Sequence, residues 1–350
     1  MLYSVSMNNK VPFSRGFNFS KWFESRGFKE IVFEKFDEMD FMNVKSLGAD
    51  VIRVPIAFHN FFIDDNNTLE PGLLNYLDTA ADWAEKHKIY FIIDNHSFHP
   101  IEPTDVNIDK ILIPVWEQIS RRFKDRSEYI IYEILNEPHG IEDSIWGKIQ
   151  GDTINAIRKI DKERFIIVGG TNYNSIEKML TVPAYKDKNL IYTFHFYDPH
   201  LFTHQGATWN KPSLIPLANL QFPADENFKP DVYMHETFKD TWVQKSLENY
   251  KNDSKYTVLS ATLKRAANFA KDRNVPVFCG EFGVFMQQSP NEDRVKWYKF
   301  ICEELQSLGI AWITWDYFGG FGVFKTQYKG KFPDELNMEV VKAMGLKGEL

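Results

Sequence analysis

The chain has 350 residues, of which 43% are hydrophobic and 25% charged, and it carries a net charge of -7. The length is enough for one large core or two small ones, and the acidic balance without a long basic run argues against a nucleic-acid partner. No apolar run approaches the roughly 18 residues of a membrane-spanning helix, so no membrane partner is expected.

The composition also bears on the cellular compartment. Cys279 falls in a predicted buried strand and Cys302 in a predicted helix, so both are expected to be free buried thiols. The first residues lack a basic segment followed by an apolar stretch, so no secretory signal is predicted. The compartment therefore stays open: secreted or periplasmic if a signal peptide was trimmed, and cytoplasmic otherwise.

Two hydrophobic periods alternate along the chain, one typical of strands and one typical of helices. The helix at 72–86, for example, carries leucine and alanine along one face. In chain order the pattern predicts strand 15–19, helix 35–47 ending at Gly48, strand 50–55, helix 72–86, strand 89–94, helix 111–124, strand 129–135, helix 144–160, strand 164–168, helix 175–180, strand 190–196, helix 259–271, strand 276–280, helix 293–308, strand 310–315 and helix 335–344.

Eight strands that alternate with eight helices indicate an α/β fold. The strands are nearly continuous apolar runs, which is typical of a parallel sheet covered on both faces. At this length a closed (β/α)₈ TIM barrel forming one domain over 1–350 is predicted. The alternative is a doubly wound open sheet, but the glycine-rich turn expected after its first strand is missing from RGFNFSKW.

One connection is much longer than the others. About 60 residues separate the sixth strand from its helix, where a loop of this kind usually takes about 2–6. This 198–258 insertion is predicted to contain a short helix near 235–247 and to form a wall of the active-site mouth. A tolerated surface insertion is the alternative.

Polar or amphipathic side chains lie at the C-terminal ends of six predicted strands. They are Arg53, His96, Asn136, Glu137, His195, Tyr197, Glu281 and Trp315. Taken singly, each has a structural alternative, such as a surface ion pair or a hydrogen-bonded histidine in the core. In a barrel these strand ends meet on one face, where active sites lie, so together they predict one site.

Two carboxylates in this set, Glu137 and Glu281, lie on strands across the barrel mouth. Glycoside hydrolysis requires such a pair, one protonated to release the leaving group and one ionised to attack or to activate water. Arg53 and Tyr197 would hold Glu281 as the anion by charge and hydrogen bond. Asn136 would hydrogen-bond the 2-hydroxyl of a sugar.

Three motifs at these strand ends carry a resemblance to a known family. They are EILNEPHG around Glu137, HFYDPHLFTHQGATW around His195 and Tyr197, and CGEFGVF around Glu281. The chain resembles glycoside hydrolase family 5, the cellulase-type retaining β-glycanases built on a (β/α)₈ barrel. The resemblance runs from RGFNF to WDYFGGFG and finds a counterpart for each of the eight strand-end residues.

The resemblance implies a role for individual residues. Glu137 would be the acid/base and Glu281 the nucleophile, with retention of anomeric configuration. The segments THQGATW and FGGFGVF are similar to an endoglucanase branch, some members of which also cleave mannan or mixed-linkage glucan. By that similarity the substrate-binding residues are Asn18 and Trp22 on the non-reducing side, His204 and Trp209 on the leaving-group side, and His96 and Trp315.

The chain departs from the family pattern in two places. Several relatives carry two consecutive histidines after the third strand, whereas this chain has His96 followed by Ser97. The 198–258 insertion is also longer than the pattern, which could close part of the cleft or favour short oligosaccharides. Both departures concern substrate specificity.

The predicted function is a retaining endo-β-1,4-glycanase acting on a β-glucan such as cellulose, lichenan or glucomannan. The alternatives are a β-mannanase of the same family and an inactive carbohydrate-binding barrel, which no substituted catalytic residue supports. Catalysis by two glutamates needs no cofactor, and no metal-binding motif is seen. The expected partner is a β-linked polysaccharide or oligosaccharide, bound by a monomer.

Overall fold

The computed structural model describes residues 10–98 and 102–347, and in them eight parallel strands close into a barrel. The strands pair in sequence order, and β1 also pairs with β8, which excludes the open sheet. The predicted (β/α)₈ barrel is therefore confirmed. The strands are β1 Arg15–Asn18, β2 Val51–Ile56, β3 Tyr90–Asn95, β4 Ile130–Glu133, β5 Ile166–Gly169, β6 Leu190–Phe196, β7 Val277–Phe282 and β8 Ala311–Thr314.

Helices lie between the strands and bury their apolar faces against the barrel. Their bounds are α1 Glu38–Ser46, α2 Pro71–His87, α3 Asp109–Phe123, α4 Asp143–Arg158, α5 Thr171–Asn174, α6 Ile176–Met179, α7 His200–Thr203, α8 Trp242–Asp253, α9 Tyr256–Arg273, α10 Asn291–Ser307 and α11 Met338–Ala343. The predicted stop of the first helix holds, because Gly48 has a φ of +83° just after α1. The short α5 is irregular, with Asn172 and Tyr173 in left-handed backbone conformations.

The inside of the barrel changes from apolar to charged along the strands. Its apolar part is a cluster of Phe13, Val51, Ile92, Ile131, Ile167, Ile191, Phe278, Ala311 and Ile313. Alternate residues of a strand share a face, so the next inward residues on β2, β3 and β4 are Arg53, Asp94 and Glu133. These three side chains are buried and form the floor beneath the strand ends.

A β-bulge brings the ends of β6 and β7 to the same level. Phe194 pairs with Cys279, but the next residue, His195, pairs with Glu281, so Gly280 is skipped. A Cβ atom on Gly280 would lie 2.7 Å from Thr193 Oγ1, which explains the glycine. The bulge therefore sets His195 and Glu281 side by side.

The helix inside the 198–258 insertion begins later than predicted. The sequence favours a helix near 235–247, but α8 begins at Trp242, after a 3-10 turn at Glu236–Phe238. Asp240 interrupts the helix with a φ of +58°. Thr241 then caps α8, because its side chain accepts a hydrogen bond from the backbone N–H of Val243.

Three further predictions concern the cysteines, membrane-spanning helices and the number of domains. Cys279 and Cys302 are free and buried, as expected. Across the described ranges, no helix has the length and apolar character needed to cross a bilayer. A single domain over 1–350 stays a prediction, since residues 1–9 and 348–350 at its ends lie outside the described residues.

Candidate active site

A buried arginine on β2 holds the floor of the site together. Arg53 donates through Nε to Glu133 Oε2 at 2.7 Å and through Nη2 to Glu133 Oε1 at 3.0 Å. Its Nη2 also lies 3.0 Å from Asp94 Oδ2. The side-on contact with Glu133 fixes the plane of the guanidinium, since two parallel bonds leave it little freedom to rotate.

The remaining donors of Arg53 point at the predicted site residues. Nη1 donates to Glu281 Oε1 and to Asn18 Oδ1, each at 2.8 Å, and Nη2 donates to Asn136 Oδ1 at 2.8 Å. One rigid cation therefore touches both the carboxylate on β7 and the amide that follows β4. This arrangement fixes their separation.

Glu281 is held as a hydrogen-bond acceptor on both oxygens. Oε1 accepts from Arg53, and Oε2 accepts from the Tyr197 hydroxyl at 2.9 Å. Burial and the neighbouring Glu281 raise the pKa of Tyr197 well above its usual value, so the phenol keeps its proton and remains a donor. These two contacts hold the Glu281 carboxyl group in one orientation.

Glu137 lies in a different environment. Its Oε1 is 2.6 Å from His195 Nδ1, and its side chain is 20% exposed. Burial raises the pKa of Glu137 to about 7, although the nearby His96 and Arg53 act to lower it. Burial lowers the pKa of His195 to about 4, so this histidine is neutral near pH 7. Glu137 can therefore carry a proton at a pH where an exposed glutamate cannot.

His96 links the floor to the rim of the site. Its Nδ1 is 2.7 Å from Asp94 Oδ2 and its Nε2 is 3.3 Å from Asn136 Nδ2. Although burial acts to lower it, the neighbouring Asp94 raises the pKa of His96 to about 9, so the ring is a cation near pH 7 and its Nδ1–H donates to Asp94. The ring also stacks on Trp315 with centroids 5.5 Å apart. Asn136 and Trp315 are therefore held in fixed orientations.

The two carboxylates come close to each other. One oxygen each of Glu137 and Glu281 and a ring nitrogen of His195 lie within 4.8 Å of one another. Three such ligand atoms could also hold a metal ion. The opposed environments of the two glutamates, however, match the acid and base pair of the two-carboxylate chemistry more closely.

The predicted substrate-binding residues fall into two groups. His204 is buried against Tyr197, with ring centroids 5.0 Å apart, and Trp209 is 45% exposed beside Phe285. Asn18 and Trp22 are fully buried instead. The structure thus places the first pair beside the site and the second pair beneath its surface.

The burial of Asn18 and Trp22 corrects the expectation of direct substrate contact. The Asn18 amide donates to the carbonyls of Gly280 and Thr314 and accepts from Arg53, so its polar atoms are all used inside the protein. Trp22 packs against Phe23 in the core. Asn18 therefore supports the site by hydrogen bonding and Trp22 by packing.

Four residues that the sequence analysis did not single out contribute to the site. Asp94 and Glu133 form the buried acidic floor, and His139 stacks on Tyr173 with centroids 4.4 Å apart. Burial and the nearby Glu137 raise the pKa of Tyr173, which places this half-exposed ring near the acid. Glu133 could have been predicted from the sequence, because it is a glutamate inside an apolar strand. The sequence around Tyr173 gives no comparable indication.

Replacing Glu133 with glutamine is expected to destabilise the protein. The glutamine NH₂ group would face an N–H of Arg53, so one buried donor loses its acceptor, which costs about 1–3 kcal/mol. Urea denaturation of the wild-type and variant proteins measures the change. Glu128→Gln, at an exposed position before β4, is the matched control. An unchanged unfolding midpoint for Glu133→Gln would contradict this account of the floor.

Comparisons with known proteins agree with the site. The sequence model described as Cellulase (glycosyl hydrolase family 5) matches residues 14–319. Endoglucanase C of Acetivibrio thermocellus is 28% identical over 321 residues, which is 88% of this chain and 92% of the relative. Cellodextrinase A of Ruminococcus flavefaciens is 28% identical over 312 residues, covering 85% and 83% of the two chains.

Solved structures share the fold. The cellulose synthase subunit Z (CcsZ) of Clostridioides difficile superposes with a TM-score of 0.78 at 25% identity, covering 95% of this chain and 99% of that one. Endoglucanase Cel5A of Thermotoga maritima has a TM-score of 0.78 at 23% identity, covering 95% and 96%. With the family match over most of its length, the chain belongs to the cellulase family, glycosyl hydrolase family 5, and is a glycoside hydrolase of the endoglucanase type.

Proposed function

We propose that the protein is a retaining endo-β-1,4-glucanase that hydrolyses β-glucan chains by double displacement. The observation that carries the proposal is the paired placement of Glu137 and Glu281, with oxygens within 4.8 Å of each other. Retaining glycosidases have carboxyl groups about 5–5.5 Å apart, whereas inverting ones leave about 6.5–9.5 Å for a water molecule. The short gap supports retention.

In the first step Glu281 attacks the anomeric carbon of the sugar. Its oxygen forms the new bond while the bond from that carbon to the glycosidic oxygen breaks. Protonated Glu137 gives its proton to the departing oxygen, so the leaving sugar departs as a neutral alcohol. Arg53 and Tyr197 hold Glu281 in place for the attack.

In the second step Glu137 acts as a base instead of an acid. Glu137, now ionised, takes a proton from a water molecule as the water attacks the same carbon. The bond to Glu281 breaks, and the carboxylate returns to Arg53 and Tyr197. Two inversions give net retention. Neutral His195, 2.6 Å from Glu137, keeps that carboxyl group in position during both transfers.

The side chains around the pair define where sugars would bind. Asn136, oriented by Arg53, would bond the 2-hydroxyl of the sugar under attack. His96 and Trp315 would contact the same side of the cleft, while His204 and Trp209 would receive the leaving group. The half-exposed ring of Tyr173 near Glu137 offers a further stacking surface.

The substrate class rests on the relatives. Endoglucanase C and cellodextrinase A are both named for glucan substrates. The Thermotoga maritima Cel5A has solved complexes with cellobiose and with mannotriose. We therefore propose cellulose, lichenan and glucomannan as substrates, and a mannan backbone is the second candidate.

Two measurements test this function. The protein is incubated in parallel with carboxymethylcellulose, lichenan, glucomannan and mannan, and released reducing ends are counted. Proton NMR of the first products of cellopentaose then reads their anomeric form. We expect glucan hydrolysis with β-anomers appearing first. Initial α-anomers would contradict the double displacement, and hydrolysis of mannan alone would replace the glucan assignment.

A further inference from the structure

Two exposed tryptophans lie in the 198–258 insertion. The chain has nine tryptophans, all within the described ranges, and only Trp209 and Trp242 are exposed, at 45% and 36%. An indole that stays in water gives up the free energy of burial. Finding both exposed indoles in one connection, the one that follows β6, points to a surface that meets a ligand.

Trp242 is fixed in its position. It is the first residue of α8, which Thr241 caps. Its indole Nε1 donates to the carbonyl of Lys211 at 2.8 Å, and its ring meets His200 at a centroid distance of 5.7 Å. A ring held by a hydrogen bond and by a ring contact loses little conformational entropy when a ligand stacks on it.

A pair of stacked histidines joins Trp242 to the catalytic residues. His200 stacks on His204 with centroids 3.9 Å apart and planes at 17°. His204 in turn meets Tyr197 at 5.0 Å and Trp209 at 6.1 Å. An unbroken row of rings therefore runs from the tyrosine that binds Glu281 out to α8.

The rings in this row carry no charge near neutral pH. Burial lowers the pKa of His200 to about 4, and burial together with His200 lowers the pKa of His204 well below its usual value. Neutral aromatic rings present apolar faces of the kind that the C–H face of a β-linked glucose unit can cover. They offer little attraction to a charged ligand.

We propose that Trp242 forms a distal sugar-binding subsite on the leaving-group side of the cleft, beyond Trp209, and that it takes a β-linked glucose unit of the departing chain. The side follows from the proposed function, in which His204 and Trp209 receive the leaving group. The row of rings continues from these two residues through His200 to Trp242. This proposal rests on the proposed function and adds a specificity that the insertion supplies.

Replacing Trp242 with alanine tests the proposal through substrate length. We expect kcat/KM for cellohexaose to fall about tenfold, the loss typical of an aromatic anchor. An aryl β-cellobioside places no sugar on the leaving-group side, so its kcat/KM should not change. Trp242→Phe keeps a ring and should recover most of the cellohexaose activity.

The cleavage pattern gives a second readout. Cellohexaose cleaved in ¹⁸O-labelled water and analysed by mass spectrometry shows which bond breaks, because the label enters the fragment from the non-reducing side. Losing a distal leaving-group subsite should shift cleavage toward the reducing end. A shift toward longer leaving groups would overturn the assigned side.

The remaining outcomes are distinct. Tyr256→Ala, which removes an exposed aromatic of α9 that packs on Phe300 and makes no ring contact with His200, is the matched control and should leave both substrates unaffected. Equal losses on cellohexaose and the aryl cellobioside, or no loss on either, would overturn the subsite. A wild-type protein without glucan hydrolysis would instead overturn the proposed function.

Discussion

Replacing Glu281 with alanine is expected to lower kcat/KM on β-glucan by at least about 10⁴-fold, because the reaction loses the group that forms the covalent bond. The fold should survive the change. Arg53 keeps its contacts with Asp94 and Glu133, so no buried charge is left without a partner. Reducing-end release measures the activity, and thermal melting checks the fold.

Azide separates a lost nucleophile from general damage at the same site. In the space left by the Glu281 side chain the small anion can attack the anomeric carbon once, which yields a glycosyl azide of inverted, α configuration. We expect this product from an aryl β-cellobioside and none from the wild type. Glu303→Ala, at an exposed position on α10, should behave as wild type. Undiminished hydrolysis by Glu281→Ala would show that Glu281 is not the nucleophile.

The barrel was predictable because its strands carry an unusually plain signal. Runs such as 190–196 are largely apolar and carry a polar side chain, His195, next to their last residue, so both the strand and its functional end can be read from the sequence. The same logic located Glu137 and Glu281. The predicted contacts of Arg53 and Tyr197 with Glu281 are present in the structure, and the assignment of Glu281 as the anion stays a prediction.

Residues beneath the surface were harder to predict. Asn18 follows an apolar pair on β1, and its resemblance to substrate-binding positions says nothing about which way the amide points. In the folded protein its amide nitrogen donates to the carbonyls of Gly280 and Thr314, which are 262 and 296 residues away along the chain, and this closes it off from the cleft. Such a contact exists only once the barrel has closed between β1 and β8.

The 198–258 insertion was hard to predict for a different reason. Its sequence has weak periodicity, and its helix was placed too early because the left-handed backbone at Asp240 has no clear sequence signal. The stacking of His200 on His204 brings together rings four residues apart, but the contact with Trp242 crosses 42 residues. Local patterns cannot report a contact of that length.

Glu137 provides the second large effect, and it is expected to depend on the leaving group. Replacing it with alanine removes the acid, which should lower kcat/KM on glucans by about 10²–10⁴-fold. The dinitrophenolate group of a dinitrophenyl β-cellobioside leaves without needing a proton. The rate of the first step on this substrate should therefore be nearly unchanged. Azide should then speed the second step and give a β-glycosyl azide, the configuration opposite to that from Glu281→Ala. Glu142→Ala, an exposed change five residues later, is the control.

The pH profile of the wild type follows from the same carboxyl group. Burial raises the pKa of Glu137 to about 7, so the acid is protonated below that pH and kcat/KM on cello-oligosaccharides should be highest there. Above about pH 7 the protonated fraction, and with it kcat/KM, should fall about tenfold per pH unit. Glu137→Ala has no such proton to lose and should be flat over this range. An alkaline limb that persists in Glu137→Ala would show that another group sets it, and the acid role of Glu137 would then fail.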